Sequence, residues 1–154
     1  MANKAIPDLI AAGALTGAEL LEVVQSGNSR KVSAAALAAS PGAPIDIGTY
    51  VSGTPSANEV ILRYVFTRAV TFADEFAASQ GSAGAAATGS TTFLVRKNGS
   101  NVGTIVFAAS GTIATFTTTG TTVSFAAGDV LDIVAPASPD ATLANISVTL
   151  AGTR

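Results

Sequence analysis

Chemistry at an enzyme centre generally needs an imidazole, a thiolate, a pair of opposed carboxylates or a metal held by such groups. This chain has no His and no Cys, which removes imidazole and thiolate nucleophiles, a His or Cys zinc site, and disulfides. Carboxylates remain. Asp74 and Glu75 are adjacent, so in a strand they point to opposite faces and cannot flank one substrate bond, although a turn could bring them together. Asp129 follows Gly128 as a turn residue leading into a strand does, its carboxylate serving nearby backbone N–H groups. Asp132 lies between Leu131 and Ile133 and shares the face of Val130 and Val134. Either that face is open to solvent or Asp132 pairs with a base such as Arg63, Arg68 or Arg96. Loops holding Asp74, Glu75, Asp129 or Asp140 could converge on a calcium ion, but the dense Asp/Asn/Gly loop of such a site is missing. Gly81-Ser82-Ala83-Gly84 lacks the strand-to-helix setting and the closing Lys-Ser or Lys-Thr of a phosphate loop. The expectation is a protein that is not an enzyme, with no catalytic residues, no cofactor and no metal.

Composition points the same way. The 154 residues suffice for one ordinary domain, and 12% charged residues is about half of the roughly 25% usual in a soluble domain. A surface so sparsely charged is expected to meet other protein. The net charge is −2 and no run of Lys or Arg occurs, so no nucleic-acid partner is expected. Residues 1–13 are broken by Lys4, Pro7 and Asp8, so no secretory signal is expected and the chain is expected to start as mature protein. Every apolar run stops short of the roughly 18 residues of a membrane helix, so no membrane partner is expected. Without Trp, and with only Tyr50 and Tyr64, a sugar would have little to stack on. Arg63 and Arg68, or Arg96 and Lys97, could form a basic patch for an acidic glycan, with ordinary surface charge as the simpler reading.

The elements that must position these groups divide near residue 45. Residues 1–40 read as an extended arm, 41–48 as a Pro/Gly linker, and 49–154 as a β-sandwich domain. In the arm, Glu19–Gln25 and Arg30–Ser33 flank Ser26-Gly27-Asn28-Ser29, a small hairpin. Ala34–Ala39 reads as a helical turn or two behind Ser33, stopped by Ser40-Pro41-Gly42. The arm's large apolar residues cannot enclose a core. Ile6, Leu9, Ile10, Leu15, Leu20, Leu21, Val23 and Val24 therefore form a candidate docking surface, the alternative being that the arm packs on its own C-terminal domain. Beyond it, alternation over Glu59–Phe66 puts Val60, Leu62, Tyr64 and Phe66 on one face, with Arg63 on the other. Asn98-Gly99 between Thr92–Lys97 and Val102–Phe107 is a hairpin turn, since both residues accept positive φ. Further strands are expected at 47–51, 70–76, 112–118, 122–125, 129–135 and 144–150, about eight in all. That pattern suits an all-β, jelly-roll-like sandwich. The low-complexity segment Gln80–Ser90 reads as a mobile or interface-lining loop. The Thr-rich stretch 112–122 reads either as the outer face or edge of a sheet, or as a hydroxyl-rich contact surface.

The segment Ile6-Pro7-Asp8-Leu9, followed by Gly13-Ala14-Leu15-Thr16-Gly17-Ala18-Glu19-Leu20-Leu21-Glu22-Val23-Val24-Gln25-Ser26-Gly27, resembles the N-terminal segment of many tailed-bacteriophage virion proteins. Residues 93–99, 102–107, 125–131 and 135–144 are similar to the β-sandwich domains of phage fibre and decoration proteins. The resemblance covers about two-thirds of the chain. It implies a structural protein on the virion exterior, made in the host cytoplasm, with other capsid or tail proteins as partners. It also implies a homotrimer, with a host-surface glycan as a further partner. A short tail or head fibre or spike is the leading expectation. A capsid decoration (cement) protein and a carbohydrate-binding host-attachment module are the alternatives. The family carries no catalytic residues to transfer.

Overall fold

The computed structural model describes residues 16, 18, 20–35 and 42–154, and its contacts divide the chain into two units, residues 1–42 and 43–154. Ile6, Leu9, Ile10 and Leu15 lie outside the described residues.

In the first unit, β1 (Leu20–Gln25) and β2 (Asn28–Ser33) pair antiparallel, with Gln25 opposite Asn28. Ser26-Gly27 alone make the turn, at φ 52° and 77°, the positive pair that a tight two-residue hairpin demands. Register puts Leu21, Val23, Arg30 and Val32 on one face and Leu20, Glu22, Val24 and Lys31 on the other, with Glu22 opposite Lys31. Leu20, Leu21, Val23 and Val24 are all exposed, Val24 to 75%. Ala34 and Ala35 are helical, and the rest of the expected turn at 34–39 lies outside the described residues.

The second unit is an all-β sandwich of ten strands: β3 (Pro44–Val51), β4 (Val60–Val65), β5 (Val70–Phe72), β6 (Gln80–Ala85), β7 (Thr91–Lys97), β8 (Ser100–Phe107), β9 (Ala114–Thr118), β10 (Val123–Phe125), β11 (Val130–Val134) and β12 (Ala144–Thr153). One antiparallel sheet runs β10-β5-β12-β3, with β6 also on β12, and the other runs β4-β11-β7-β8-β9. Inward positions of both sheets meet in one core that holds six of the seven phenylalanines at 2% exposure or less. Phe66 and Phe125 lie 4.5 Å apart, centroid to centroid, beside Phe72 and Phe76. Phe93 and Phe107 form a second pair at 6.1 Å. Each buried aromatic removes enough apolar surface from water to matter individually.

Four local expectations are corrected. Residues 44–48, expected as linker, open β3, because Ile45 and Ile47 alternate inward and Pro44 is tolerated at a strand start. Gln80–Ala85, expected as part of a loop, is strand β6. Its small residues are what the position needs: a side chain at Gly81 would meet Ala114 at 2.7 Å. Val60 is exposed, not inward, because the β4–β11 register shifts between Ile133 and Val134 and Ile61 packs on the core instead. The strand expected over 70–76 stops at Phe72 and gives way to a 3-10 turn, Asp74–Phe76. That turn drives Phe76 into the core over Gly103, where a Cβ would lie 2.5 Å from the Phe76 ring.

Candidate functional surfaces

Asp132 is the buried carboxylate of the sandwich, at 7% exposure. β11 places it on the outer face, opposite Arg63 of β4 and Arg96 of β7. Arg63 Nε donates to Asp132 Oδ1 at 2.8 Å and Nη2 to Oδ2 at 3.1 Å, a two-point fork. The contact raises the Arg63 pKa further above its ordinary value. Of the three bases expected as possible partners, Arg63 makes this pair, while Arg96 Nε donates to Asn101 Oδ1 at 3.1 Å. The pair binds the edge strand β4 to its neighbour β11.

Asp129 closes the turn 126–129 between β10 and β11. Its Oδ2 accepts from the Ala126 N–H at 2.7 Å and lies 3.0 Å from Lys97 Nζ, while its Oδ1 accepts from Asn98 Nδ2 at 2.7 Å. These donors, the Ala126 N–H foremost, hold its pKa at about 2. Lys97 also donates to the Ser124 carbonyl at 2.7 Å and sits 5.5 Å from the centre of the Phe125 ring. Asn98 and Gly99, at φ 49° and 84°, form the two-residue turn from β7 to β8. The Val130 N–H donates to Asn98 Oδ1 at 2.8 Å, and the Asn98 N–H donates to the Val130 carbonyl at 2.9 Å. The β7–β8 hairpin turn and the β10–β11 connection between the two sheets are thus latched by one carboxamide and one carboxylate.

Asp140 forms a second latch, between the loops at 86–90 and 135–143. Its Oδ2 accepts from Thr88 Oγ1 at 2.6 Å, Thr88 N at 3.0 Å and Gly89 N at 2.8 Å. Its Oδ1 accepts from Thr142 Oγ1 at 2.6 Å, Thr142 N at 2.9 Å and Leu143 N at 3.1 Å. The Thr142 and Thr88 hydroxyls, with these N–H groups, hold its carboxyl far below the usual carboxylate range. From the sequence, Asp140 is expected only as a possible calcium ligand. The signal was Asp140-Ala141-Thr142, a pattern that favours local bonding of a carboxylate to backbone two residues on.

Asp74 Oδ1 accepts from Thr118 Oγ1 at 2.6 Å and from the Glu75 N–H at 3.1 Å. Asp74, Asp129 and Asp140 therefore serve three different turns, and among the described residues no group of three or more potential metal ligands occurs. The calcium alternative is not supported by any such convergence. The Thr-rich stretch lines the outer face and edge of its sheet, with Thr117 and Thr104 hydroxyls 2.6 Å apart and Thr119 Oγ1 on the Val102 carbonyl at 3.3 Å. Tyr64 is packed edge-on against Phe66, 5.1 Å between centroids, whereas Tyr50 stays 63% exposed.

The open surfaces are shallow. A depression of about 430 Å³ is lined by Pro44, Thr71, Ala77, Ala151 and Thr153, with Asp46 as its one ionisable side chain. Val60, Val65 and Ile113 join Tyr50 as the exposed large apolar residues of the sandwich. On the hairpin, the four exposed apolar residues Leu20, Leu21, Val23 and Val24 fall within a span of five. They are the described part of the docking surface expected from sequence. Among the described residues no helix is long and apolar enough to cross a membrane. No protein-family model matches the chain, and no curated protein matches it.

Proposed function

We propose that the chain is a non-enzymatic structural protein of a bacteriophage virion, its N-terminal part docking on the particle and its sandwich displayed outside. The observation that carries this reading is the β1–β2 hairpin, which presents apolar side chains on both faces and, among the described residues, pairs with no third strand. A two-stranded hairpin is marginal by itself in water, so this one gains its stability from a surface it meets. The sandwich supports the complementary role. It has its own core, and the carboxylates Asp132, Asp129, Asp140 and Asp74 are engaged in holding strands and turns together. We read its strand order as jelly-roll-like: β3 beside β12 and β4 beside β11 are nested antiparallel pairs. Similarity of the N-terminal residues to virion arms adds the identity of the particle, and a homotrimer of short fibres or spikes is the form we favour.

Immunogold electron microscopy with an antibody against the sandwich tests the reading on particles purified from the source of this sequence. Gold at the tail or at head fibres supports it, gold spread evenly over the head turns it into a decoration protein, and unlabelled particles overturn it.

A further inference from the structure

Asn98 is the only asparagine of this sequence followed by glycine. In that dipeptide the next backbone nitrogen attacks the side-chain carboxamide with least hindrance, because glycine brings no Cβ to the approach. Both residues are exposed, so water reaches them. The carboxamide, however, is held at both ends: Nδ2 donates to Asp129 Oδ1 at 2.7 Å and Oδ1 accepts from the Val130 N–H at 2.8 Å. Attack by the Gly99 nitrogen requires the carboxamide to turn out of that grip and give up both bonds.

We propose that Asn98–Gly99 is a latent deamidation site, gated by the latch to Asp129 and Val130, and that its reaction releases the β7–β8 turn from the β10–β11 turn. In the first step the Gly99 nitrogen loses its proton to solvent and bonds to Asn98 Cγ, while the Cγ–Nδ2 bond breaks and the amide nitrogen, protonated by water, leaves as ammonia. One water then opens the succinimide at either carbonyl, giving aspartate or isoaspartate, with no net oxidation or reduction. Aspartate puts a carboxylate oxygen where a donor faced Asp129, so two carboxylates face each other across the distance that the Nδ2–Oδ1 bond now spans. Isoaspartate lengthens the backbone inside a two-residue turn whose register sets Lys97 opposite Ser100.

The full chain is incubated folded and, in parallel, in guanidinium chloride at one fixed pH, and ammonia loss at Asn98 is followed by peptide mass mapping. Deamidation in the folded chain is expected at least about tenfold slower, the factor that two net hydrogen bonds confer. Asp129→Ala, which removes one end of the grip, is expected to raise the folded rate several-fold, and Asn98→Asp to lower the unfolding midpoint by several degrees. Equal rates in the folded and denatured chain overturn the gate, and this comparison needs no variant to fold. A folded Asp129→Ala chain that reacts at the parent rate removes Asp129 from it, and an Asn98→Asp chain as stable as the parent overturns the release.

Discussion

The β1–β2 and β7–β8 hairpins are built on the same turn and have opposite fates. Each uses two residues of positive φ ending in glycine, Ser26-Gly27 in one and Asn98-Gly99 in the other. The β1–β2 register runs unbroken from the turn outward, whereas that of β7–β8 shifts between Val95 and Arg96. Yet β7 and β8 bury Phe93, Val95, Ile105 and Phe107 completely, whereas β1 leaves Leu20, Leu21, Val23 and Val24 in the open. Turn chemistry therefore fixes which residues face each other, and burial fixes how much the pairing is worth. The β1–β2 hairpin has the first without the second among the described residues.

The comparison can be broken most sharply at its apolar residues. Phe93→Ala is expected to cost the sandwich about 3–5 kcal/mol in denaturant unfolding, the range for a buried aromatic. Val24→Ala should leave the same transition within about 0.5 kcal/mol of the parent. Similar losses at the two positions would mean that the first hairpin is part of the core after all.

Acid provides the next test. Asp129 and Asp140 have folded pKa values below their unfolded values near 4. Their stabilisation is therefore complete above about pH 4 and is lost as pH falls through the folded value, about 2 for Asp129. Circular dichroism melts should show the sandwich midpoint dropping across this window, and Asp140→Ala should lower it by several degrees at neutral pH while flattening the acid response. An unchanged acid response in that variant would remove the Asp140 latch from the stability of the fold.

Glycine sharpens the contrast further. Alanine at Gly99 or Gly27 adopts a left-handed φ, 84° or 77°, at a cost of about 1 kcal/mol. Gly99→Ala should register in global unfolding, while Gly27→Ala should appear only as faster hydrogen exchange within residues 20–33. The smallest effect on the sandwich is expected for Leu20→Ser with Val24→Ser, which should leave its midpoint unchanged and, on the virion role proposed above, abolish incorporation into particles.

Much of this architecture is legible in the residues. Alternation at Leu62, Tyr64 and Phe66, and at Ile146, Val148 and Leu150, marks inward faces, and the structure buries them wholly or in part. Asp132 between apolar neighbours announces a partner, and Arg63 supplies it. Less legible is anything that depends on close approach across the sheets. Gln80–Ala85 has no large apolar side chain to show periodicity, and at Gly81 the close approach of Ala114 and Phe116 excludes one. Positive φ at Glu75, Phe76 and Ala78 is likewise invisible locally. It is imposed by burial of Phe76 beside Phe72, 5.8 Å between centroids. The latches of Asp129 and Asp140 join turns far apart in sequence, so their residues carry only half the signal each.

The long strand β12 has a kinetic consequence. It is the common neighbour of β3, β5 and β6, and it joins Pro44 to Thr153. On a ribosome, the sheet around it can assemble only after nearly every preceding residue has been made, and such distant pairings are slow to find one another. Until then β3, β5 and β6 lack their shared partner, with strand edges and apolar faces open to neighbouring chains. The interval between translation and closure by β12 is when misassembly competes most strongly with folding.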